Sequence, residues 1–186
     1  AAVQVCEGQQ QDMNFESKTD VSLSEYMQMV EYKTAVLLGA ALKIGGITGG
    51  GSMEDQSHLY EFGKNIGIAF QLRDDFLDTF GDSDVFGKQL GGDIIANKKT
   101  FLYLKAMQLA DVNSKKKLNR LFLETDFSES KIQSVKSIFE EFNIPKHTTD
   151  MMRSYYIKGM KHLEAIESKN KAPLIQFSSK LMQRIS

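Results

Sequence analysis

Gly67-Ile68-Ala69-Phe70-Gln71-Leu72-Arg73-Asp74-Asp75-Phe76-Leu77-Asp78 reads as the closing turns of a long helix that starts near Met53 and ends near Phe80. At roughly 100° per residue, Asp74 and Asp78 fall about 40° apart, one turn from each other on one face. Asp75 sits on the flank of that face. Leu59, Phe62, Ile66, Phe70 and Leu77 cluster on a different arc. Gly63 and Gly67 share the azimuth of the carboxylates, so the spacing predicts room above the helix there. Carboxylates packed this closely repel one another, and the helix dipole disfavours anions near a C-terminal end. A divalent cation offsets both costs. Hard oxygen ligands in an open arrangement favour Mg²⁺, which usually keeps waters and bridges to phosphate. A solvated acidic helix end is the ordinary alternative for such a cluster.

Outward from this helix, the whole chain reads as α. Ser22-Leu23-Ser24-Glu25 is a capping-box signature opening a helix that runs to about Ile44, where Gly45-Gly46 and Gly49-Gly50-Gly51 are expected to end it. An earlier helix covers residues 1–16. Downstream, a Gly- and Asp-rich loop over 81–92 precedes helices at 93–109, 114–124, 128–143, 146–168 and 173–185. Pro145 and Pro173 fall between these patterns. Ser128 with Lys131 gives only half of a capping box.

The chain has 186 residues, one domain's worth, with 41% hydrophobic and 25% charged residues, so it is globular. Lys+Arg 23 against Asp+Glu 24 leaves a net charge of -1, which provides no basic excess for nucleic acid or an anionic membrane. The single cysteine, Cys6, excludes an internal disulfide framework and a cysteine-rich zinc site, and suits a reducing, cytoplasmic setting. No apolar run is long enough for a membrane span. His58, His147 and His162 match no motif and read as structural or surface residues. Lys115-Lys116-Lys117 reads as a solvated helix start.

Lys33 is the second anomaly. On the wheel of residues 22–44 it falls among Tyr26, Met29, Val30, Val36, Leu37, Ala40 and Ile44. An inward lysine needs an anion or a route to water, and snorkelling along its stem is the bland alternative. Thr34 beside it adds a hydroxyl. The third element is Gly87-Lys88 followed by Gly91-Gly92-Asp93 and Asn97-Lys98-Lys99-Thr100. Lysines in a glycine-rich loop are ordinary surface residues when taken alone. Beside an acidic metal site, they suit a diphosphate. Together the three anomalies describe metal held by carboxylates, diphosphate oxygens held by metal, and lysines balancing the remaining charge.

At these residues the sequence resembles the trans-isoprenyl diphosphate synthases, the farnesyl and geranylgeranyl diphosphate synthase family. Residues 67–78 look like the second Asp-rich motif, and Gly81-Asp82, Gly87-Lys88, Gly92-Asp93 and Asn97-Lys98 follow at the family's spacing. Lys33-Thr34 matches its Lys-Thr pair and Gly8-Gln9-Gln10-Gln11-Asp12 its Gly-Gln-x-x-Asp element. The resemblance implies an all-α bundle of the isoprenoid synthase type and a Mg²⁺-dependent prenyltransferase. Such an enzyme condenses isopentenyl diphosphate with an allylic prenyl diphosphate in a trans, 1'-4 fashion. It implies that Asp74, Asp75 and Asp78 bind Mg²⁺ and that Lys33, Lys88 and Lys98 act on the allylic diphosphate. Thr34 and Gln71 would line the same site, Asp93 would hold the lysine loop, and Gln9 and Asp12 would lie near the prenyl tail. Phe70 and Leu37 are expected to shield the allylic cation. The full-length protein is expected to be a homodimer.

One feature of that family is missing. Only Asp74-Asp75-Phe76-Leu77-Asp78 has the DDxxD form, and the chain opens without Met in what reads as mid-helix. Residues 1–186 are therefore expected to be the C-terminal part of a single isoprenoid synthase domain that lacks its N-terminal helices. Such a chain would be inactive alone and would carry exposed apolar faces, including that of 1–16. A non-catalytic subunit with the same fold is the alternative. The intact acid and lysine set argues against it. A class I terpene cyclase would share the metal logic, but the Gly87-Lys88 and Asn97-Lys98 pattern fits chain elongation better.

Overall fold

The computed structural model describes residues 1–81, 90–124, 128–168 and 170–182. Among them every regular element is a helix, as the periodicity predicts. No described helix is long and apolar enough to cross a membrane. Helix α1 spans Ala2–Ser17. Helix α2, Leu23–Val30, starts on the expected capping box: Ser22 Oγ accepts from Glu25 N–H and the Glu25 carboxylate accepts from Ser22 N–H.

The helix does not continue as a regular α-helix. Glu31–Ala35 forms one π-helical turn before α3, Val36–Thr48, resumes. A π turn inserts a residue and rotates everything after it relative to a regular wheel. For that reason Leu37 and Ile44, expected to face inward, are 57% and 59% exposed. Gly45-Gly46 does not end the helix either. Gly46 lies against Leu59, whose Cδ1 would stand 2.6 Å from an added Cβ. The stop is Gly50, at φ +73, with Gly51 N–H donating to Gly46 O and Gly50 N–H to Ile47 O. This is a Schellman closure.

Helix α4, Met53–Phe80, is the central rod, capped by Ser52, whose Oγ accepts from Asp55 N–H at 3.0 Å. Helix α3 and the later helix Ile144–Ala165 pack along it. Its glycines correct an expectation: Gly63 and Gly67 leave no room for a ligand. A Cβ on Gly67 would stand 2.7 Å from Ala35 Cα, and one on Gly63 2.9 Å from Gly39 Cα. The bare face is filled by backbone of the π turn and α3.

The expected helix over 93–109 is two elements. Helix α5, Gly92–Ile95, is a single turn between two left-handed residues, Gly91 at φ +80 and Asn97 at φ +54. Helix α6 is Phe101–Leu109. Asp111 caps α7, Val112–Leu121, two residues before the expected start. Ser128 caps α8, Glu129–Glu141. Helix α9, Ile144–Ala165, carries Pro145 within its first turn, a position that needs no backbone donor. Helix α10 is Ala172–Met182.

The main core gathers Tyr26, Met29, Val30 and Leu72 with residues of α6 to α9, including Phe101, Leu118, Ile132 and Phe139. A smaller core joins Phe62 and Ile66 to Leu163 and Ile166. His58 Nδ1 and His162 Nδ1, 3.0 Å apart, link α4 to α9, as the structural reading of these histidines expects.

Candidate functional site

A cavity of about 360 Å³ opens where α1, α2, the π turn, the end of α4 and the stretch after Gly91 meet. Asp12, Lys33, Thr34, Gln71, Asp74, Asp75, Asp78, Asp93 and Lys98 all line it. These residues lie up to 86 positions apart, from 12 to 98. Two expected residues are placed elsewhere or not placed. Gln9 is exposed on α1 and does not line the cavity. Lys88 lies outside the described residues. The apolar walls are also not the expected Phe70 and Leu37. Phe15, Met29, Val30, Leu77 and Leu90 take that part. Phe70 instead lies under the Arg73 guanidinium, 4.9 Å from ring centroid to Cζ.

The π turn aims Lys33. It presents the side chain toward α1, where Nζ meets Asp12 Oδ2 at 2.5 Å. Gly8 permits this approach, since a Cβ there would stand 2.3 Å from Lys33 N. Thr34 Oγ1 donates to Gln71 Oε1 at 3.2 Å, and Gln71 Nε2 donates to Asp75 Oδ1 at 3.1 Å. The Tyr26 hydroxyl donates to Asp75 Oδ2.

Asp75 is thus fixed on both oxygens and is only 6% exposed. Burial, reinforced by Asp93 nearby, pushes its carboxyl up to about 7 despite the hydrogen bonds from Tyr26 and Gln71. Its folded pKa lies above its unfolded one, so the folded state binds the extra proton between about pH 4 and 7. Metal-free stability should therefore fall as pH rises through that window and level off above it. Asp75→Asn should flatten this slope and raise stability at pH 8 by about 1–2 kcal/mol, since the amide retains one acceptor of two. Thermal melts across pH check it; a slope unchanged by the substitution would exclude Asp75 as its source.

Asp78 is also pushed upward, mainly by burial. Its Oδ2 accepts from Asp93 N–H at 2.9 Å, and Lys98 Nζ bonds Asp93 Oδ1 at 2.7 Å. Asp93 therefore ties Lys98 to the acidic helix. Asp74 stands at the rim, 44% exposed, with Arg73 Nη2 at 3.3 Å from Oδ1.

The donor set fits a magnesium diphosphate. Among the described residues no three acidic, Cys or His side chains converge on a single cation position. Mg²⁺ needs no such cage, because one or two carboxylates plus phosphate oxygens and waters complete its shell. Asp74 and Asp78 on one face supply hard oxygens, and Asp75 is held by donors in the way ligating carboxylates usually are. Lys33 and Lys98 supply ammonium groups across the opening.

Tyr26 and Lys99 are among the lining residues to which the sequence alone assigns no role. Tyr26 passed for an apolar-arc residue because its partner is 49 positions away. Lys99 stood next to a motif lysine and received no role. Its Nζ bonds Phe15 O at 2.7 Å, joining α1 to the segment before α6.

Residues 1–142 match the polyprenyl synthetase family. The chain is 35% identical over 167 residues to a short chain isoprenyl diphosphate synthase of Methanothermobacter thermautotrophicus, covering 90% of this chain and 51% of that protein. It is 34% identical over 174 residues to a geranylfarnesyl diphosphate synthase of Natronomonas pharaonis, covering 93% and 49%. A solved geranylgeranyl pyrophosphate synthase matches with TM-score 0.90 and 42% identity over 100% of this chain and 58% of that one. A geranylgeranyl pyrophosphate synthetase from Pyrococcus horikoshii Ot3 matches at 0.87 and 30%, over 96% and 54%. The chain spans about half the length of the curated relatives it matches. The family match spans every residue that lines the cavity: the chain belongs to the polyprenyl synthetase family.

Proposed function

We propose that this cavity is the allylic diphosphate half of a prenyltransferase site. The observation that carries it is the convergence of Asp74, Asp75 and Asp78 with Lys33 and Lys98 on one opening whose inner walls are apolar. Relatives bear the names of short chain isoprenyl, geranylfarnesyl and geranylgeranyl diphosphate synthases, which supports a substrate of this class.

Asp74, Asp75 and Asp78 would hold Mg²⁺, which when bound supplies positive charge to the leaving diphosphate. Lys33 and Lys98, with Lys88, contribute ammonium charge to the same oxygens. As the allylic C–O bond breaks, the bonding pair leaves with diphosphate and the carbon becomes an allylic cation. Charges fixed in advance stabilise that separation more than mobile water can. Phe15, Met29 and Leu77 keep water from the cation. The double bond of isopentenyl diphosphate attacks it, a carbon–carbon bond forms, and the released diphosphate takes the proton whose loss restores the alkene. Asp93 keeps Lys98 aimed, and Thr34 and Gln71 keep Asp75 aimed. We extend the same reading to a homodimeric, Mg²⁺-dependent complete protein.

The complete encoded protein, given isopentenyl diphosphate and an allylic diphosphate with Mg²⁺, should make longer prenyl diphosphates; absence of product would overturn the reading. Residues 1–186 alone carry one Asp-rich cluster. Calorimetric titration of this chain with Mg²⁺ and geranyl diphosphate should give a Kd of ~0.1 mM or weaker, with no elongation. Nanomolar binding would mean that these residues form a whole site.

A further inference from the structure

Lys131 belongs to no motif and lies away from the cavity, yet it is only 2% exposed. It sits in the first turn of α8, where the helix dipole opposes a cation, and burial opposes one further. Among the described residues its ammonium meets Asn97 and the Glu124 carbonyl. Nζ donates to Asn97 Oδ1 at 2.7 Å and to Glu124 O at 2.8 Å, and Asn97 Nδ2 donates to the same Glu124 carbonyl at 3.2 Å. Asn97 is the left-handed residue that ends α5, directly before Lys98. The next residue of α8 guards the other end of α5: Ile132 Cδ1 lies 2.8 Å from where a Cβ on the left-handed Gly91 would be. One helical turn thus braces both ends of the segment whose Asp93 bonds Asp78 and Lys98.

We propose that Lys131 is a positioning residue for the diphosphate site, clamping the Asn97 turn so that Lys98 stays registered on Asp93 and the cavity. This rests on the reading of that cavity as a diphosphate site. The clamp acts through geometry. Without it the Asn97 side chain keeps only its longer bond to Glu124 O, the turn relaxes toward ordinary φ, and Lys98 swings away from Asp93.

The test uses the complete encoded protein with four variants: Lys131→Met, which keeps the stem and removes the donors, Asn97→Gly, which keeps the left-handed turn and removes the anchor, Lys98→Ala, and the Lys98→Ala/Lys131→Met pair. Lys131→Met and Asn97→Gly should each raise KM for the allylic diphosphate about tenfold, with a smaller change in kcat. On the Lys98→Ala background, Lys131→Met should raise KM no further, although Tm falls in both backgrounds. If Lys98→Ala raises KM but Lys131→Met lowers only Tm, or if the two KM effects multiply, the clamp is structural and the proposal fails while the site reading stands. Should Lys131→Met not fold, Asn97→Gly decides: an unchanged KM overturns the proposal. An unchanged KM in Lys98→Ala overturns the site reading itself, and the clamp with it.

Discussion

Asp74→Asn in the complete encoded protein should lower kcat/KM for condensation about a thousandfold, the scale on which removing one charge-stabilising group from a developing anion is felt. The choice of asparagine matters. Arg73 is 4% exposed, and its Nε and Nη1 have no hydrogen-bond partner among the described residues. Its Nη2 bonds Asp74 Oδ1. Alanine would strip that contact from a buried guanidinium and cost stability as well, about 1–3 kcal/mol. Asparagine keeps an acceptor for Arg73 and removes only the charge, so Tm should hold while turnover collapses. Steady-state kinetics beside a melting curve separate the two. Turnover within threefold of the parent protein would remove Asp74 from the chemistry.

Gly8→Ala should destabilise the chain, against the direction that helix propensity gives. Mid-helix, exchanging glycine for alanine normally gains about 1 kcal/mol. Here the added methyl would stand 2.3 Å from Lys33 N and 2.8 Å from Lys33 Cα and Tyr32 C. These are backbone atoms of a helix packed on α4, so the strain falls on α1 as a rigid body. Overpacking of this kind costs about 3 kcal/mol, leaving a net loss of about 2 and a Tm lower by about 4–8 °C for a chain of this size. Displacement of α1 also carries Asp12 away from Lys33, so the Lys33–Asp12 contact should weaken together with Tm. A melting temperature that rises would show that α1 does not press on the π turn.

The sequence was most readable where function required one residue type at regular spacing. Asp74 and Asp78 share a face because the end of α4 is regular, and the Ser22–Glu25 box marks α2 because its atoms are local in the chain. The reading failed where regularity did. A wheel at constant pitch cannot represent the π turn, so it placed Leu37 and Ile44 inside. The glycines of α4 were ambiguous for another reason. A face without side chains admits a ligand or another backbone equally well, and Ala35 and Gly39 took the place. Tyr26 with Asp75, and Lys131 with Asn97, join residues 49 and 34 positions apart. Only the packed chain brings such pairs together.

The widened turn at Glu31–Ala35 makes one rod serve two masters. Ahead of it, Tyr26, Met29 and Val30 keep time with the cavity; beyond it, Val36 and Gly39 keep time with the neighbouring long helix. Because each stretch has its own azimuth, drift in one need not be answered by drift in the other. Lys33, at the joint, stays trained on the opening while the far stretch remains at liberty to change its outward face.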